Sequence, residues 1–174
     1  MQTLLPCSLR SFSSGRASRG PGGKLLREDE PYFPQQANQM ASIHKDIPID
    51  AHPDDVWAAV RDFGALHTRL VPGFVRDTRL EGEARIVTFA NGTVARELLV
   101  DCDDARRRLV YAAVSERVKH YSASVQVAAD GGARARLLWI VDLLPHEIAP
   151  YVDGQMAQAA LAMQKALGRQ GAAT

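Results

Sequence analysis

From Phe74 to Leu143 the apolar period of the chain is two, and it stays so through six consecutive segments. No other feature narrows the possible folds as much. Residues 74–80, 84–90, 93–102, 108–115, 119–129 and 133–143 read as strands, because a strand sends alternate side chains to opposite faces. The separators are turn signals: Glu81-Gly82, Asn91-Gly92, Asp103-Asp104-Ala105 and Asp130-Gly131-Gly132. Asn-Gly and Asp-Gly supply the positive φ that tight hairpins need. Strands joined by short hairpins form an antiparallel meander, which can keep one face dry and the other wet. The last segment shows this most clearly. Arg134 and Arg136 share one parity, while Ala135, Leu137, Trp139, Val141 and Leu143 take the other.

What flanks the meander decides how its dry face is covered. Ile43, Ile47 and Ile49 are spaced by even numbers, so residues 42–50 read as a first strand. Ala51-His52-Pro53-Asp54-Asp55 opens a helix, with Pro53 and the acids placed in its first turn. Val56, Trp57, Val60 and Phe63 form its apolar stripe, and Gly64 is expected to stop it. A second short helical piece, residues 65–70, is broken by Pro72-Gly73. After the strands, residues 145–168 carry the one long helical pattern. Pro145 and Pro150 cannot both lie in a helix interior, so a short entry turn is expected, then a helix with Pro150 in its first turn and Gly168 just past its end. At 100° per residue, Val152, Met156, Ala159, Met163 and Leu167 form one stripe, edged by Ala160 and Ala166. The expected architecture is α+β: a seven-stranded antiparallel sheet curved around a long C-terminal helix, with two short helices after the first strand.

Size and charge exclude several classes. At 174 residues the chain suits one domain plus a tail. Lys+Arg total 21 against Asp+Glu 20, a balance that argues against a general nucleic-acid partner. Two cysteines, Cys7 and Cys102, do not make a disulfide framework, and a reducing, cytoplasmic setting is expected. No apolar run reaches membrane-span length.

Residues 1–40 differ in kind from the rest. The first 24 contain Arg10, Arg16, Arg19 and Lys24, five serines and no acid. Three readings stand: a disordered leader, an organellar presequence, or upstream sequence ahead of a start at Met40. The domain is expected over residues 41–168, with 169–174 a disordered tail.

Element order and a spaced pattern carry a family resemblance over residues 41–168. The pattern runs Ala84-Arg85-Ile86-Val87-Thr88, Asn91-Gly92, Ala95-Arg96-Glu97-Leu98-Leu99, Asp103-Asp104, Leu109-Val110-Tyr111, Tyr121 and Trp139. With these residues the chain resembles the START/Bet v 1-like superfamily (SRPBCC), which holds the polyketide cyclase/dehydrase and lipid-transport group. The resemblance implies a helix-grip fold with an internal apolar cavity between sheet and long helix. In the similar plant abscisic-acid receptors, the loops matching residues 90–93 and 115–120 act as gate and latch. Here the first is shorter and lacks Ser-Gly-Leu-Pro-Ala, and the second lacks His-Arg-Leu, so the hormone switch does not carry over.

Candidate site residues follow from parity. Leu137, Trp139 and Val141 are expected to face Met156, Ala159, Ala160 and Met163 across the interior, as pocket lining or as plain core. Arg96 shares parity with Val94, Leu98 and Val100. If that face is inward, Arg96 is an anchor for a ligand's carboxylate or enolate. If Ala95, Glu97 and Leu99 face inward instead, Arg96 is solvated. Tyr111 and Tyr121 are candidates to hydrogen-bond a ligand oxygen or act as weak general acids, against a core role with the hydroxyl reaching water. His67 is placed near a cavity mouth or on the surface. Arg106-Arg107-Arg108 reads as a solvated turn. No histidine has partners at metal-ligand spacing, and no cofactor motif or nucleophile triad is present. The leading expectation is a binding module for a small hydrophobic molecule such as a lipid, polyketide or isoprenoid. The alternatives are a cyclase, aromatase or dehydratase, or an interaction protein resembling ubiquinone chaperones. A monomer or a weak homo-oligomer is expected, with Leu161, opposite the gripping stripe, as its contact.

Overall fold

The computed structural model describes residues 39–114 and 118–170. The expectations for residues 1–38 and 171–174 fall outside the described residues. The chain runs β1 (Ala41–Ile49), α1 (Pro53–Val60), a single π-helical turn (Leu66–Leu70), β2 (Val75–Glu81), β3 (Ala84–Phe89), β4 (Val94–Asp103), β5 (Arg108–Val114), β6 (His120–Ala129), β7 (Ala135–Leu144), a short turn (His146–Ile148) and α2 (Ala149–Gln170). All seven strands pair antiparallel in one curved sheet of order β1-β7-β6-β5-β4-β3-β2.

Consecutive in sequence, β1 and β2 are the two edges of that sheet. The segment from α1 to the π-helical turn therefore carries the chain from one edge to the other. Pro48 sits in edge strand β1, where a missing N–H is tolerated. Register shifts between Val75 and Asp77 and between Leu99 and Asp101 insert bulges, which sharpen strand bending and twist. The hairpin glycines fulfil their role: Gly82, Gly92, Gly131 and Gly132 all have positive φ.

α1 opens as its first turn indicates. The Asp54 N–H donates to His52 Nδ1 (3.3 Å), Pro53 follows the cap, and Asp54 and Asp55 lie at the positive end of the helix dipole. It stops at Val60, one turn short of the apolar stripe. Phe63 is nonetheless buried, because the chain folds back against the sheet there. The arginine-rich β4–β5 turn is tied to the protein rather than simply solvated. Arg107 pairs with Asp54 of α1, Arg106 with Asp103, and Arg108 with Asp101 (3.8 Å). In the same corner the Trp57 indole donates to Asp104 (2.9 Å), which also pairs with Arg61 (3.1 Å).

α2 buries the expected stripe. Met156, Ala159, Met163 and Leu167 are buried and Val152 is half-buried. Its grip on β1 is polar as well as apolar: Lys45 pairs with Asp153 (2.7 Å), and Gln164 Nε2 donates to the Pro48 carbonyl (3.0 Å). Gly168 does not end the helix. α2 continues to Gln170, and Gly168 keeps a negative φ, so nothing at that position turns the chain out.

Candidate functional site

Between the concave face of the sheet, the π-helical turn and α2 lies a cavity of about 540 Å³. Its wall is largely apolar, drawn from every layer: Leu66 and Leu70 of the π turn, Leu109 and Val125 of the sheet, Met156 and Met163 of α2. Phe74 and Phe89 meet edge to face at one side, centroids 5.6 Å apart. The cavity opens where its lining becomes exposed. Asn91, Thr93 and Val94 of the β3–β4 hairpin, Val114 and Val118 around the β5–β6 connection, and Tyr151 and Gln155 of α2 form that end. Of these, Asn91, Thr93 and Val118 fall within the loops 90–93 and 115–120 matched above to the hormone receptors; residues 115–117 lie outside the described residues.

Inside this apolar wall sits a buried ion pair. Arg85 on β3 and Glu97 on β4 stand directly opposite one another in register, 5% and 7% exposed. Arg85 Nε donates to Glu97 Oε2 at 2.7 Å, Nη2 forms an ion-pair contact with the same oxygen at 2.6 Å, and Nη1 donates to the Phe63 carbonyl at 3.2 Å. The guanidinium also lies 4.0 Å from the centroid of the Phe63 ring and 5.2 Å from that of Tyr111. Each guanidinium nitrogen thus meets a protein acceptor, and the Phe63 ring lies against the group. This is what a charge removed from water requires.

Tyr111 and Tyr121, ring centroids 6.5 Å apart, stand beside the pair. Burial pushes the Tyr111 phenol well above its ordinary value, and the neighbouring Tyr121 and Glu97 reinforce the shift. Tyr121 is pushed up the same way, by burial first and the Glu97 charge second. Both phenols therefore stay neutral well above physiological pH. Trp139 completes the polar set: it is 8% exposed, and its buried indole N–H has no hydrogen-bond partner.

Of the residues singled out from the sequence, Trp139, Met156, Ala159, Met163, Tyr111 and Tyr121 do line the cavity. Leu137 and Val141 have the inward parity but are wholly buried in the core beside β1 residues Ile43 and Ile47 rather than in the cavity wall. Ala160 packs half-buried at the edge of the core. The inward reading of Arg96 is corrected. Arg96 is exposed on the outer face and Glu97 is the buried residue, so Arg96 is no anchor within this cavity. His67 is half-buried, is not among the cavity-lining residues, and leaves its Nδ1 unpartnered. Arg85 was not singled out, although its signal was present. Pairing outward from the Asn91-Gly92 turn sets Arg85 opposite Glu97, and opposite charges at one register position of adjacent strands mark a pair.

The architecture defines a class: a curved antiparallel sheet gripping a long C-terminal helix over an internal cavity. Residues 40–171 match the family described as polyketide cyclase / dehydrase and lipid transport, and the chain belongs to that family. Solved structures repeat the fold. XoxI from Bacillus cereus has a TM-score of 0.66 at 20% identity, covering 73% of this chain and 95% of its own. A protein from Thermobifida fusca has a TM-score of 0.62 at 24% identity, covering 74% and 93%. Norcoclaurine synthase from Thalictrum flavum, in complex with dopamine and hydroxybenzaldehyde, has a TM-score of 0.60 at 19% identity, covering 83% and 95%. No curated protein matches the sequence. Among the described residues no helix is long and apolar enough to cross a membrane.

Proposed function

We propose that this protein binds a small, predominantly apolar molecule of lipid, polyketide or isoprenoid type in the cavity between sheet and α2. The observation that carries this reading is the cavity itself. Its volume falls within the roughly 300–1,000 Å³ of small-molecule sites, and its mostly apolar wall with a few convergent polar groups is what such sites present. Met156 and Met163 give that wall an adaptable surface, and Ala159 between them leaves space that a larger residue would fill.

The family also contains enzymes, and two buried phenols beside a carboxylate are the features that favour a cyclase- or dehydratase-type reading. Their chemistry weighs the other way. A general acid works best with a pKa near the operating pH, whereas Tyr111 and Tyr121 hold their protons more tightly than free tyrosine. They serve better as neutral hydrogen-bonding groups than as proton donors. With Arg96 on the outer face, the site offers no free arginine for an enolate among its described lining residues.

Native mass spectrometry of the purified protein, set against its denatured mass, tests the proposal. A discrete excess mass that organic extraction removes is expected. A protein that is always empty and takes up no apolar fluorescent probe would refute it.

A further inference from the structure

An antiparallel sheet with one face on the core is expected to be polar on the other. The outer face of this sheet follows that rule only at its edges. β1 sends out Ser42, His44 and Asp46, and β2 sends out Asp77, Arg79 and Glu81, all of them exposed. The strands between depart from it. Leu98, Ala112 and Ser122 pair across β4, β5 and β6 in one outward row, and Val110, Ser124 and Ile140 pair across β5, β6 and β7 in the next. Leu138 is exposed beyond them, and Val100 projects from the β4 bulge. Among the described residues, the core that α1, the π-helical turn and α2 complete lies on the opposite side of the sheet. An apolar centre within a charged rim is the anatomy of an interface rather than of a wet surface.

Charge indicates what the face meets. Two ions flank its apolar centre, Arg96 on β4 and Asp142 on β7, with β5 and β6 between them. Among the described residues neither has a salt-bridge partner, whereas Arg79 pairs with Glu81 and Arg136 with Asp46 on the same face. An isologous contact sets a surface against itself. A two-fold axis running along the strands between β5 and β6 lays β4 of one copy over β7 of the other. Each Arg96 then reaches Asp142 of the second copy, and both orphaned ions are paired at once. Four strands about 4.8 Å apart, over about six residue steps of 3.4 Å, give a footprint of roughly 400 Å² per copy. That size belongs to weak, reversible association. Leu161 of α2 is exposed too, but it stands alone among Gly154, Ala157 and Gln158 and offers a narrower contact.

We propose that the outer face of β4 to β7 is a self-association surface, which joins two copies sheet to sheet with Arg96 and Asp142 paired across the contact. The cavity lies on the other side of the sheet, so this proposal is independent of the container reading.

Sedimentation velocity of the full chain, from about 10 µM to about 1 mM, should show monomer giving way to dimer. Leu138→Lys places a charge in the contact twice and should weaken dimerisation by about tenfold or more. Leu161→Lys should leave it unchanged. Arg96→Asp should weaken it by a similar factor, and adding Asp142→Arg should restore it, because the pair is rebuilt in reverse. Leu138 does not line the cavity, so Leu138→Lys should take up an apolar fluorescent probe as the wild-type protein does. A dilution series followed by amide resonances needs no variant: Leu98, Ala112, Ser124 and Ile140 should shift, and the outer face of α2 should not. A protein that stays monomeric throughout that range overturns the proposal. So does a dimer weakened by Leu161→Lys and not by Leu138→Lys, or a folded double charge reversal that fails to restore association. A dimer that forms only once residues 1–38 are removed also overturns it, because that segment is then the occupant of the face.

Discussion

At the scale of single residues, Arg85 and Glu97 place a charged pair where the surrounding wall is apolar. Removing one member strands the other in a medium that cannot solvate it. Glu97→Ala is expected to cost about 3–5 kcal/mol, read from the urea midpoint. Replacing both, as Arg85→Met with Glu97→Leu, should recover most of that loss, because the desolvation of both ions is then avoided. The tyrosines make a separate prediction about pH. In the folded chain both keep their protons at pH values where an unfolded tyrosine, with a pKa of about 10, loses its own. The stability they contribute is complete below that value and is lost as pH rises beyond it, since the unfolded state ionises first. Urea titrations from neutral to strongly alkaline pH should show this decline, and Tyr111→Phe should make it shallower.

At the scale of elements, α2 carries two glycines in a helix held by its buried stripe, and neither glycine is needed for space. A Cβ added at Gly154 or Gly168 meets nothing within 4 Å. Gly154→Ala is expected to raise stability by about 0.5–1 kcal/mol, visible as a higher urea midpoint, with a smaller gain at Gly168 near the helix end. Ala159→Leu acts on the other face of the helix. It places bulk into the cavity and should abolish uptake of an apolar fluorescent probe, at a stability cost of about 1–3 kcal/mol. The elements themselves were largely legible in the sequence, because the glycines between strands are required by positive φ and so fix the hairpins to within a residue or two. The end of α2 was not, because glycine marks a helix stop only when its backbone turns left-handed, and Gly168 does not. The parity of β4 was the hardest element to read. Val94 and Val100 are 60% and 61% exposed, so its solvent face is as apolar as its buried one, and hydrophobicity alone leaves both parities open. The cross-strand position of Arg85 decides the question, and that requires the hairpin register rather than the pattern of one strand. The cavity wall was legible in Trp139 and the Met-Ala-Met face. The vacancy of the indole N–H was not, since it depends on where acceptors fall in three dimensions.

At the scale of the whole molecule, a ligand that fits only the assembled cavity must stabilise the fold by mass action. At a free concentration one hundred times its dissociation constant, it should add about 2.7 kcal/mol, seen as a concentration-dependent rise in Tm. A molecule that binds the outer surface of the unfolded chain equally well would give no such rise. The sheet order has a further consequence. β1 is made first, yet its sole partner in the sheet is β7, the last strand to be made, and α2 then leans on β1 through Asp153 and Gln164. During synthesis, β1 therefore waits unpaired until nearly the whole domain has emerged. Closing so long a loop is slow, as in other folds dominated by distant pairings. Until then β2 to β6 can assemble as successive hairpins, leaving an apolar trough without its roof. An apolar molecule present at that moment meets an open surface rather than a narrow mouth, so access to the interior is widest during synthesis.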